Sequence, residues 1–345
     1  MLKPLKLKAF EKIMNSKSII VTGVGGGVGQ SLLKALQDSA YRVIAVDAEP
    51  LAVGLYASSE KSYIGKYASD PGYINRLVEI AEKENAGIIF PGHDIELLPL
   101  SINKDIFLSK GVIPVVSDKD VIGICDDKLA TVKFLQNIGL PSPKTFAFNE
   151  FLEFTRPVVL KPQFGGARSR NTYIAFSKEE FQKYANLIDP NNCVVQDYIS
   201  GEEYTCGSIT LERTFMGSIS MRRTLRSGDT YKAFVEFIPA IDAAIKRVCE
   251  SLDIFGALNI QLKLKDGLPY IFEINARSSG TTGARALAGF NEPVAIADFL
   301  YKLKRPVFDI QKISILRYWK EIIISEVDLD NLKNGFVIDG SRRRL

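Results

Sequence analysis

The first third of the chain alternates short apolar runs with amphipathic segments, and this alternation constrains the fold more than any other feature. Strand-like runs cover 18–22, 42–46, 87–90 and 112–116. In SDPGYINRLVEIAEKENAG, Asp70 is expected to cap a helix in which apolar residues recur at helical spacing. Strands that alternate with helices form a parallel sheet covered on both faces. The pattern therefore predicts a doubly wound α/β domain over residues 1–116.

A glycine-rich turn stands near the start of this domain. The stretch IIVTGVGGGVGQSLLKAL, residues 19–36, passes from an apolar run through the glycines into a helix. Such a turn can hold the pyrophosphate of a dinucleotide at the helix N-terminus, and Asp47 lies about where a ribose-binding acid would stand. The same glycines would also suit a turn that contacts an acceptor substrate, or one that only lets the helix pack closely on the sheet. The turn leaves these three interpretations open.

Composition excludes several classes of function. The 345 residues are 46% hydrophobic and 24% charged, which is typical of a globular protein of more than one domain, and a net charge of +4 is too small to indicate nucleic-acid binding. No apolar run approaches the roughly 18 residues that span a bilayer. The four cysteines are far apart and form no CxxC pair, which argues against a disulfide framework or a zinc site. We expect a cytoplasmic protein, with neither nucleic acid nor a membrane as its partner.

The chain has a single histidine, His93, which excludes a metal site built from several histidines. His93 follows a strand-like run in IIFPGHDIELLPL, where both a site role and a loop or capping role fit. Asp94 and Glu96 beside it could face a cleft between domains, or could simply begin a helix at its positive end. We expect the chemistry of this protein to proceed without histidine.

The remainder of the chain has a different pattern. RPVVLKPQFGGARSRNTYIAF reads as strand, glycine loop and strand, and several strand-like runs follow one another from 203 to 237, as antiparallel strands would. Helices are expected at about 240–252 and 292–303, and the last forty residues carry no recognisable function. This order predicts an α+β region after the α/β domain.

The densest polar grouping lies in LNIQLKLKDGLPYIFEINAR. Glu273 and Asn275 are two residues apart on a predicted strand, so their side chains share a face. Gln261 falls opposite Glu273 if the hairpin turn has an odd number of residues. Because Asp-Gly by itself favours a two-residue turn, this alignment requires a longer loop. The three oxygen-bearing side chains, flanked by Arg277, would suit Mg²⁺.

In this order the motifs resemble the ATP-grasp superfamily over about residues 18–300, in particular a single ATP-grasp protein of the carbamoyl-phosphate-synthetase-like branch. The resemblance implies a Rossmann-like domain over 1–116 and an ATP-grasp fold over 117–305, whose two α+β lobes clamp ATP. The lid lobe would cover about 146–200, and residues 306–345 would form an extension that packs on the ATP-grasp fold.

The resemblance also implies roles for individual residues. Lys128 and Lys161 match cations that reach the nucleotide phosphates, and Arg277 matches the arginine that meets the transferred phosphate. Lys161 and Arg277 are therefore the catalytic candidates. The remaining matches are Gln163, Gly165 and Gly166 in the mobile loop, the backbone near Asp197 and Ile199 for adenine, Glu203 for ribose, and Gln261, Glu273 and Asn275 for the metal.

The sequence departs from the family pattern in two places. Many ATP-grasp enzymes carry a carboxylate where Gln261 stands, and the loop here bears Arg168 and Arg170 with fewer glycines than usual. A separate group of arginines, in SMRRTLRSGDT, could bind a substrate carboxylate or phosphate, or could form a solvated strand edge: Arg222, Arg223 and Arg226.

The implied function is that of a ligase that uses ATP with Mg²⁺ or Mn²⁺. It would phosphorylate a small-molecule carboxylate and pass the acyl group to an amine or similar nucleophile, and it would work as a homodimer. A carbamoyl-phosphate-synthase-type subunit that works with partners is the close alternative. An NAD-dependent oxidoreductase and a non-catalytic nucleotide-binding regulator are the alternatives of a different class.

Overall fold

The computed structural model describes residues 16–57, 60–165, 171–318 and 320–334, together with the backbone of 338–339. Over these residues the chain forms three sheets, of six, six and four strands. The first is mainly parallel and the other two are antiparallel. No helix in these ranges is long and apolar enough to cross a membrane.

The first sheet has five parallel strands in the spatial order β3-β2-β1-β4-β5. They are β1 (Ser18–Thr22), β2 (Arg42–Asp47), β3 (Lys61–Ile64), β4 (Ala86–Phe90) and β5 (Ile113–Pro114). The helices of this part are α1 (Gly27–Leu36), α2 (Tyr73–Lys83), α3 (Leu97–Ile102), α4 (Lys104–Ser109) and α5 (Lys119–Asp126). Ile19 and Val21 belong to the core on one face of the sheet and Ile20 to the core on the other. Burial of both faces confirms the doubly wound α/β domain.

Two of the predicted element boundaries in this domain were wrong. The helix α2 begins at Tyr73, because the N–H of Tyr73 bonds back to the Asp70 carbonyl and a turn precedes the helix. The Asp70 side chain accepts from the N–H of Gly72 instead of capping the first helical turn. The strand predicted over 112–116 is shorter, since the N–H of Val116 bonds back to the Pro114 carbonyl.

The second, four-stranded sheet has the order β6-β9-β7-β8. Its strands are β6 (Thr145–Ala147), β7 (Val158–Pro162), β8 (Tyr173–Ala175) and β9 (Cys193–Asp197). The helix α6 (Lys128–Asn137) precedes it, and α7 (Lys178–Ala185) covers it through Phe181, which packs on a small core of its own. This sheet therefore forms a separate layer.

The third sheet is the largest and has the order β14-β13-β10-β11-β12-β15. Its strands are β10 (Glu202–Leu211), β11 (Thr214–Arg226), β12 (Asp229–Val235), β13 (Gly256–Lys265), β14 (Leu268–Asn275) and β15 (Ser314–Leu316). The helices of this part are α8 (Pro239–Ser251), α9 (Thr282–Leu287) and α10 (Glu292–Lys302). One continuous core joins the first sheet to this one: Val21 of β1, Ile296 of α10 and Met221 of β11 all belong to it.

The C-terminal segment contacts two of the sheets. β15 pairs with β12 at the edge of the largest sheet. After α11 (Glu326–Lys333), the short strand β16 (Ile338–Asp339) runs antiparallel to β3 at the edge of the first sheet. The segment thus joins the first domain as well as the larger sheet on which it was expected to pack.

Candidate active site

A cleft of about 350 Å³ opens between the four-stranded sheet and the largest sheet. Strands β7 and β9 form one wall, and β10, β11, β13 and β14 form the other. The predicted site residues that line it are Lys128, Lys161, Gly165, Asp197, Ile199, Glu203, Gln261 and Glu273. Residues separated by more than a hundred positions in the sequence therefore meet in one cavity.

The polar end of this cleft depends on a β-bulge in the hairpin of β13 and β14. Asp266 and Gly267 form a two-residue turn with positive φ angles of 50° and 75°, as Asp-Gly prefers. The longer loop predicted from the sequence is therefore wrong. Gln261 nevertheless lies directly opposite Glu273, because the register shifts after the pair Leu262–Ile271. The one extra residue on β14, Phe272, restores the predicted alignment.

The three predicted metal ligands meet at one carboxylate oxygen. The Oε1 atom of Glu273 accepts hydrogen bonds from Nε2 of Gln261 at 3.2 Å and from Nδ2 of Asn275 at 2.9 Å. The amide oxygens of these two side chains accept from arginines: Gln261 from Arg223 at 2.6 Å and Asn275 from Arg277 at 3.4 Å. The three predicted ligands are thus in mutual contact through Glu273, and an arginine occupies the amide oxygen of each of the other two.

Lys161 crosses the cleft from β7 to the bulge. Its ammonium donates to the Phe272 carbonyl at 3.1 Å and stands 5.2 Å from the centre of the Phe272 ring. Burial lowers the pKa of Lys161 to about 8, although the nearby Glu273 carboxylate opposes that shift. The bulge therefore both aligns Glu273 and supplies an acceptor for this lysine.

Lys128 lies at the start of α6, beneath the predicted glycine loop. Its ammonium donates to the carbonyl of Gly165, and Asp127 caps the helix by accepting from the N–H of Leu129. Gln163 donates to Asp127 at 3.0 Å, so its side chain fastens the beginning of the loop to the helix.

The rest of the predicted loop is described only in part. Gly165 has a positive φ of 66° and donates its N–H to the side chain of Asp126. Gly166, Arg168 and Arg170 lie outside the described residues, so their predicted contribution stays a prediction.

The segment after β9 carries the residues expected to bind adenine and ribose. The N–H groups of Asp197 and Tyr198 bond to the carbonyls of Lys144 and Pro157, and the Asp197 carboxylate pairs with Arg156 at 2.7 Å. Hydrogen bonds to neighbouring segments therefore hold the backbone at the predicted hinge, and Asp197 and Ile199 line the cleft.

Glu203 holds two cations at the base of the cleft. Its carboxylate accepts from Arg223 at 2.7 Å and from Lys263 at 3.0 Å. Burial would raise the pKa of Glu203, but attraction to these two side chains outweighs burial and lowers the pKa below its usual range. Glu203 is therefore ionised and still faces the cavity.

Arg277 and Asp94 connect the strand end after β14 to the first domain. The guanidinium donates to both carboxylate oxygens, from Nε at 2.6 Å and from Nη2 at 2.7 Å. Burial would raise the pKa of Asp94, but Arg277 outweighs it and lowers the pKa. Both interpretations of Asp94 therefore hold, since it faces the cleft between domains and also begins the short 3₁₀ helix Asp94–Glu96.

A second cavity, of about 170 Å³, adjoins the first on the far side of Gln261 and Glu273, which line both. Its walls come from the first domain, the largest sheet and the C-terminal segment. They include Gly26, Gly27 and Val28 of the glycine turn, Thr205 and Asn259 of the largest sheet, Arg277 and Ser279 after β14, and Arg317. The two cavities meet at two of the proposed metal ligands, Gln261 and Glu273, whereas Asn275 lines neither cavity.

The glycine turn packs tightly, and the carboxylate of Asp47 binds backbone N–H groups close to it. A Cβ on Gly29 would stand 2.3 Å from the Gly23 carbonyl oxygen, and one on Gly92 would stand 2.0 Å from that of Thr22. The carboxylate of Asp47 accepts from the N–H of Gly25 at 2.8 Å and from that of Glu49 at 2.9 Å. This geometry favours helix–sheet packing and leaves the tip of the turn, at Gly26 and Gly27, facing the second cavity.

His93 and Glu96 form a capping box at the first turn after β4. The imidazole Nδ1 accepts from the N–H of Ile95, and Glu96 accepts from the N–H of His93 at 3.0 Å. Glu96 is buried beneath the glycine turn, where it also accepts from Thr22 and Tyr73. His93 lines the second cavity as well, so its capping role and its position in the cleft coexist.

Sequence reasoning missed or undervalued several of the residues in these walls. For Arg223 the sequence fits a ligand-binding residue and a solvated strand edge equally well. Its side chain is only 10% exposed and lines both cavities. Lys263 was overlooked, although it stands two residues after Gln261 and so shares its face of β13. No local signal marked Arg317, because the C-terminal segment reaches the cavity only through tertiary packing.

Two protein-family models match the chain. Residues 19–116 match the model described as "PylC-like, N-terminal domain", and residues 125–281 match the model described as "ATP-grasp domain". The chain contains an ATP-grasp domain. This confirms the resemblance drawn from the motifs, and places Lys128 and the pair Gln261–Glu273 inside the ATP-grasp domain.

Two relatives illustrate the similarity in sequence. The carbamoyl phosphate synthase large chain of Neisseria meningitidis serogroup B is 25% identical over 331 residues, an alignment that covers 81% of this chain and 29% of that protein. This chain thus spans less than a third of the length of that relative. The D-alanine–D-alanine ligase of Bacillus anthracis is 28% identical over 177 residues, covering 44% of this chain and 57% of that enzyme.

Solved structures share the fold. N5-carboxyaminoimidazole synthetase from Staphylococcus aureus, complexed with ADP, superposes with a TM-score of 0.69 at 16% identity and covers 93% of this chain and 87% of that one. An L-amino acid ligase from Bacillus licheniformis gives a TM-score of 0.65 at 13% identity, over 83% of this chain and 74% of that one. The fold of most of this chain, across both of its domains, therefore occurs in other proteins.

Proposed function

We propose that this protein is an ATP- and Mg²⁺-dependent ligase that activates a small-molecule carboxylate and joins it to an amine or similar nucleophile. The observation that carries the proposal is the junction of two cavities at Gln261 and Glu273. One is a lysine-lined cleft between two sheets, and the other is a smaller polar cavity against the first domain. Two reactants could meet there without a histidine or a nucleophilic side chain.

The larger cleft would hold ATP. Lys128 and Lys161 stand at one end of it and would bind the phosphates, while Glu203 would accept from the ribose hydroxyls. Phosphoryl transfer depends mainly on positioning and on neutralising charge. Buried ammonium and guanidinium groups provide both.

The donor set fits Mg²⁺. Glu273 would contribute a carboxylate oxygen, and Gln261 and Asn275 would contribute amide oxygens, with phosphate oxygens and water in the remaining positions. No group of three or more His, Cys, Asp or Glu side chains suited to a metal occurs among the residues that the structure describes, so the amides are needed. When bound, the ion neutralises phosphate charge and orients the terminal phosphate.

The smaller cavity would hold the carboxylate substrate. A carboxylate oxygen attacks the terminal phosphorus of ATP, the bond to the bridging oxygen breaks, and ADP leaves with the electron pair. The amine then attacks the acyl carbon, inorganic phosphate leaves, and the proton lost by the amine passes to phosphate or water. Arg277, held by Asp94, would donate to the phosphate that moves between these steps.

A carbamoyl-phosphate-synthase-type subunit that works with partners is the second candidate. The alignment of 81% of this chain with that relative favours it. The domain boundaries at 116 and 305, a homodimer and a cytoplasmic location stay predictions of the sequence.

A thermal-shift titration tests the proposal first. We expect stabilisation by ATP with Mg²⁺ and by ADP, a smaller shift in Glu273→Gln, and no shift with NAD⁺ or NADPH. Acids and amines can then be screened for ADP release. Stabilisation by NAD⁺ alone, unchanged in Glu273→Gln, would overturn the proposal in favour of an oxidoreductase at the glycine turn.

A further inference from the structure

Arg223 lies in the wall that separates the two cavities. It lines both of them, and its side chain is only 10% exposed. Its neighbour on β11, Arg222, points to the other face of the sheet, where it pairs with Glu236 at 2.9 Å and covers the ring of Phe234. Alternation along one strand thus places one arginine at the junction and the next one away from it.

The guanidinium of Arg223 is fixed on one side and has donors left on the other. Nε and Nη2 bond to Glu203 at 2.9 and 2.7 Å, and Nη2 also reaches Oε1 of Gln261. Within the residues that the structure describes, Nη1 has one contact, at 3.5 Å, with the hydroxyl of Thr230. This distance is at the limit of a hydrogen bond, so Nη1 can donate to a ligand without releasing Glu203.

Among the described residues that line the larger cleft, cations outnumber acids. Glu203 is shared between Arg223 and Lys263, and Gln261, the other partner of Arg223, is neutral. The residues that line the larger cleft include four cations (Lys128, Lys161, Arg223 and Lys263) and three acids (Asp197, Glu203 and Glu273). One of those acids, Asp197, pairs outside the group with Arg156. A surplus of positive charge in a partly enclosed cleft favours an anionic ligand.

We propose that Arg223 binds the phosphate group that moves from ATP to the carboxylate substrate. This inference rests on the proposed function and adds a residue to it. Arg223 faces the junction of the two cavities, with Glu203 and Gln261 fixing the guanidinium and Nη1 turned to the phosphate. The planar fork suits phosphate oxygens better than an ammonium does. Arg223 and Arg277 would then donate to the same group from two directions.

Calorimetric titration of the full-length protein with Mg²⁺ tests this contact. The probes are ADP and the β,γ-imido analogue of ATP, which differ by the terminal phosphate. We expect Arg223→Ala to weaken binding of the analogue about tenfold more than it weakens binding of ADP, as loss of one charge-assisted hydrogen bond to the terminal phosphate predicts. Arg223→Lys should lose less, and it serves as the second variant if the alanine variant folds poorly.

Arg222→Ala is the matched control, because it removes the same side chain from the adjacent position of the same strand. Its preference for the analogue over ADP should equal that of the wild type. Equal losses for the two nucleotides in Arg223→Ala would overturn the contact, since Arg223 would then act only by positioning Glu203. Unchanged affinities would also overturn it. A wild-type protein that binds neither nucleotide would refute the proposed function as well.

Discussion

Asp94 and Arg277, 183 residues apart, form a two-point ion pair that ties the α/β domain to the last residues of the hairpin site. The arginine side chain is 10% exposed and the aspartate 35%. A guanidinium held at two points keeps its orientation, so the first domain fixes the group that we expect to meet the transferred phosphate.

Arg277→Ala should therefore affect transfer more than binding. With a substrate pair that supports ADP release, we expect the rate to fall about 100-fold, while the dissociation constant of ATP with Mg²⁺ changes less than about threefold. Asp94→Asn keeps the shape of the pair, and its rate of ADP release should lie between those of the wild type and Arg277→Ala. Arg213→Ala, which removes an exposed pair with Asp253, is the control. A rate within twofold of wild type in Arg277→Ala would exclude this role.

Nucleotide affinity should depend on pH through Lys161. Because burial lowers the pKa of Lys161 to about 8, the unliganded protein loses this charge as the pH rises through about 8, and ATP binding weakens over the same range. Lys161→Arg keeps the charge and should give a flatter profile between about pH 7.5 and 9.5. Calorimetry at several pH values measures this. Exposed Lys133→Arg should follow the wild type, and identical profiles for Lys161→Arg and wild type would contradict the prediction.

The same pKa shift has a second consequence, for stability. The unfolded chain, with an ordinary lysine pKa of 10.5, binds more protons than the folded chain between about pH 8 and 10.5. The contribution of Lys161 to the free energy of unfolding therefore rises with pH in that window. Lys161→Met should lack it, which denaturant unfolding at pH 7.5 and 9.5 would show.

Gly92, which packs against the glycine turn, should tolerate no side chain. A Cβ there would stand 2.0 Å from the Thr22 carbonyl oxygen, so Gly92→Ala should lower the free energy of unfolding by at least about 2 kcal/mol. Gly123, within α5, has open space at its Cβ position, and Gly123→Ala should raise the free energy by about 0.5–1 kcal/mol. Urea unfolding of both variants compares them. A stable Gly92→Ala would contradict the packing interpretation.

A buried ion pair behind the site should be intolerant of single changes. Arg285 and Glu292 are fully buried and 2.7 Å apart, and Arg285 also donates to Asn259, which pairs with Asn275 across β13 and β14. Arg285→Met leaves Glu292 as an unpaired buried charge and should cost about 3–5 kcal/mol. Changing both residues to Met should cost less than Arg285→Met alone. The exposed pair Arg213–Asp253 is the control, and a larger loss in the double variant would contradict this reasoning.

Local sequence patterns were sufficient for much of the fold. The run at 18–22 is the strand β1 with the predicted bounds. All five of its residues are buried, and the two with hydroxyl groups, Ser18 and Thr22, form hydrogen bonds through them. Glu273 and Asn275 share a face because alternation along a strand is a local property. The family resemblance rested on the order of such motifs, which can be read from the sequence without knowing how the elements pack.

The alignment of Gln261 with Glu273 was predicted for the wrong reason. Asp266 and Gly267 form the short turn that their chemistry favours, and the extra residue lies instead at Phe272. Unlike a turn, a bulge leaves no local pattern in the sequence. Its stability depends on which donor binds the backbone carbonyl of the extra residue. Here that partner is Lys161, on another sheet.

The order of the elements and the Gln261, Glu273 and Asn275 group on the hairpin follow from the sequence alone. Only the tertiary structure decided that Asp94 holds Arg277, that Arg223 stands between two cavities, and that Arg317 reaches the second one. The physical reason is range: periodicity and turn chemistry act between residues a few positions apart. The partners of a buried charge, by contrast, are chosen by which sheets and helices pack against each other.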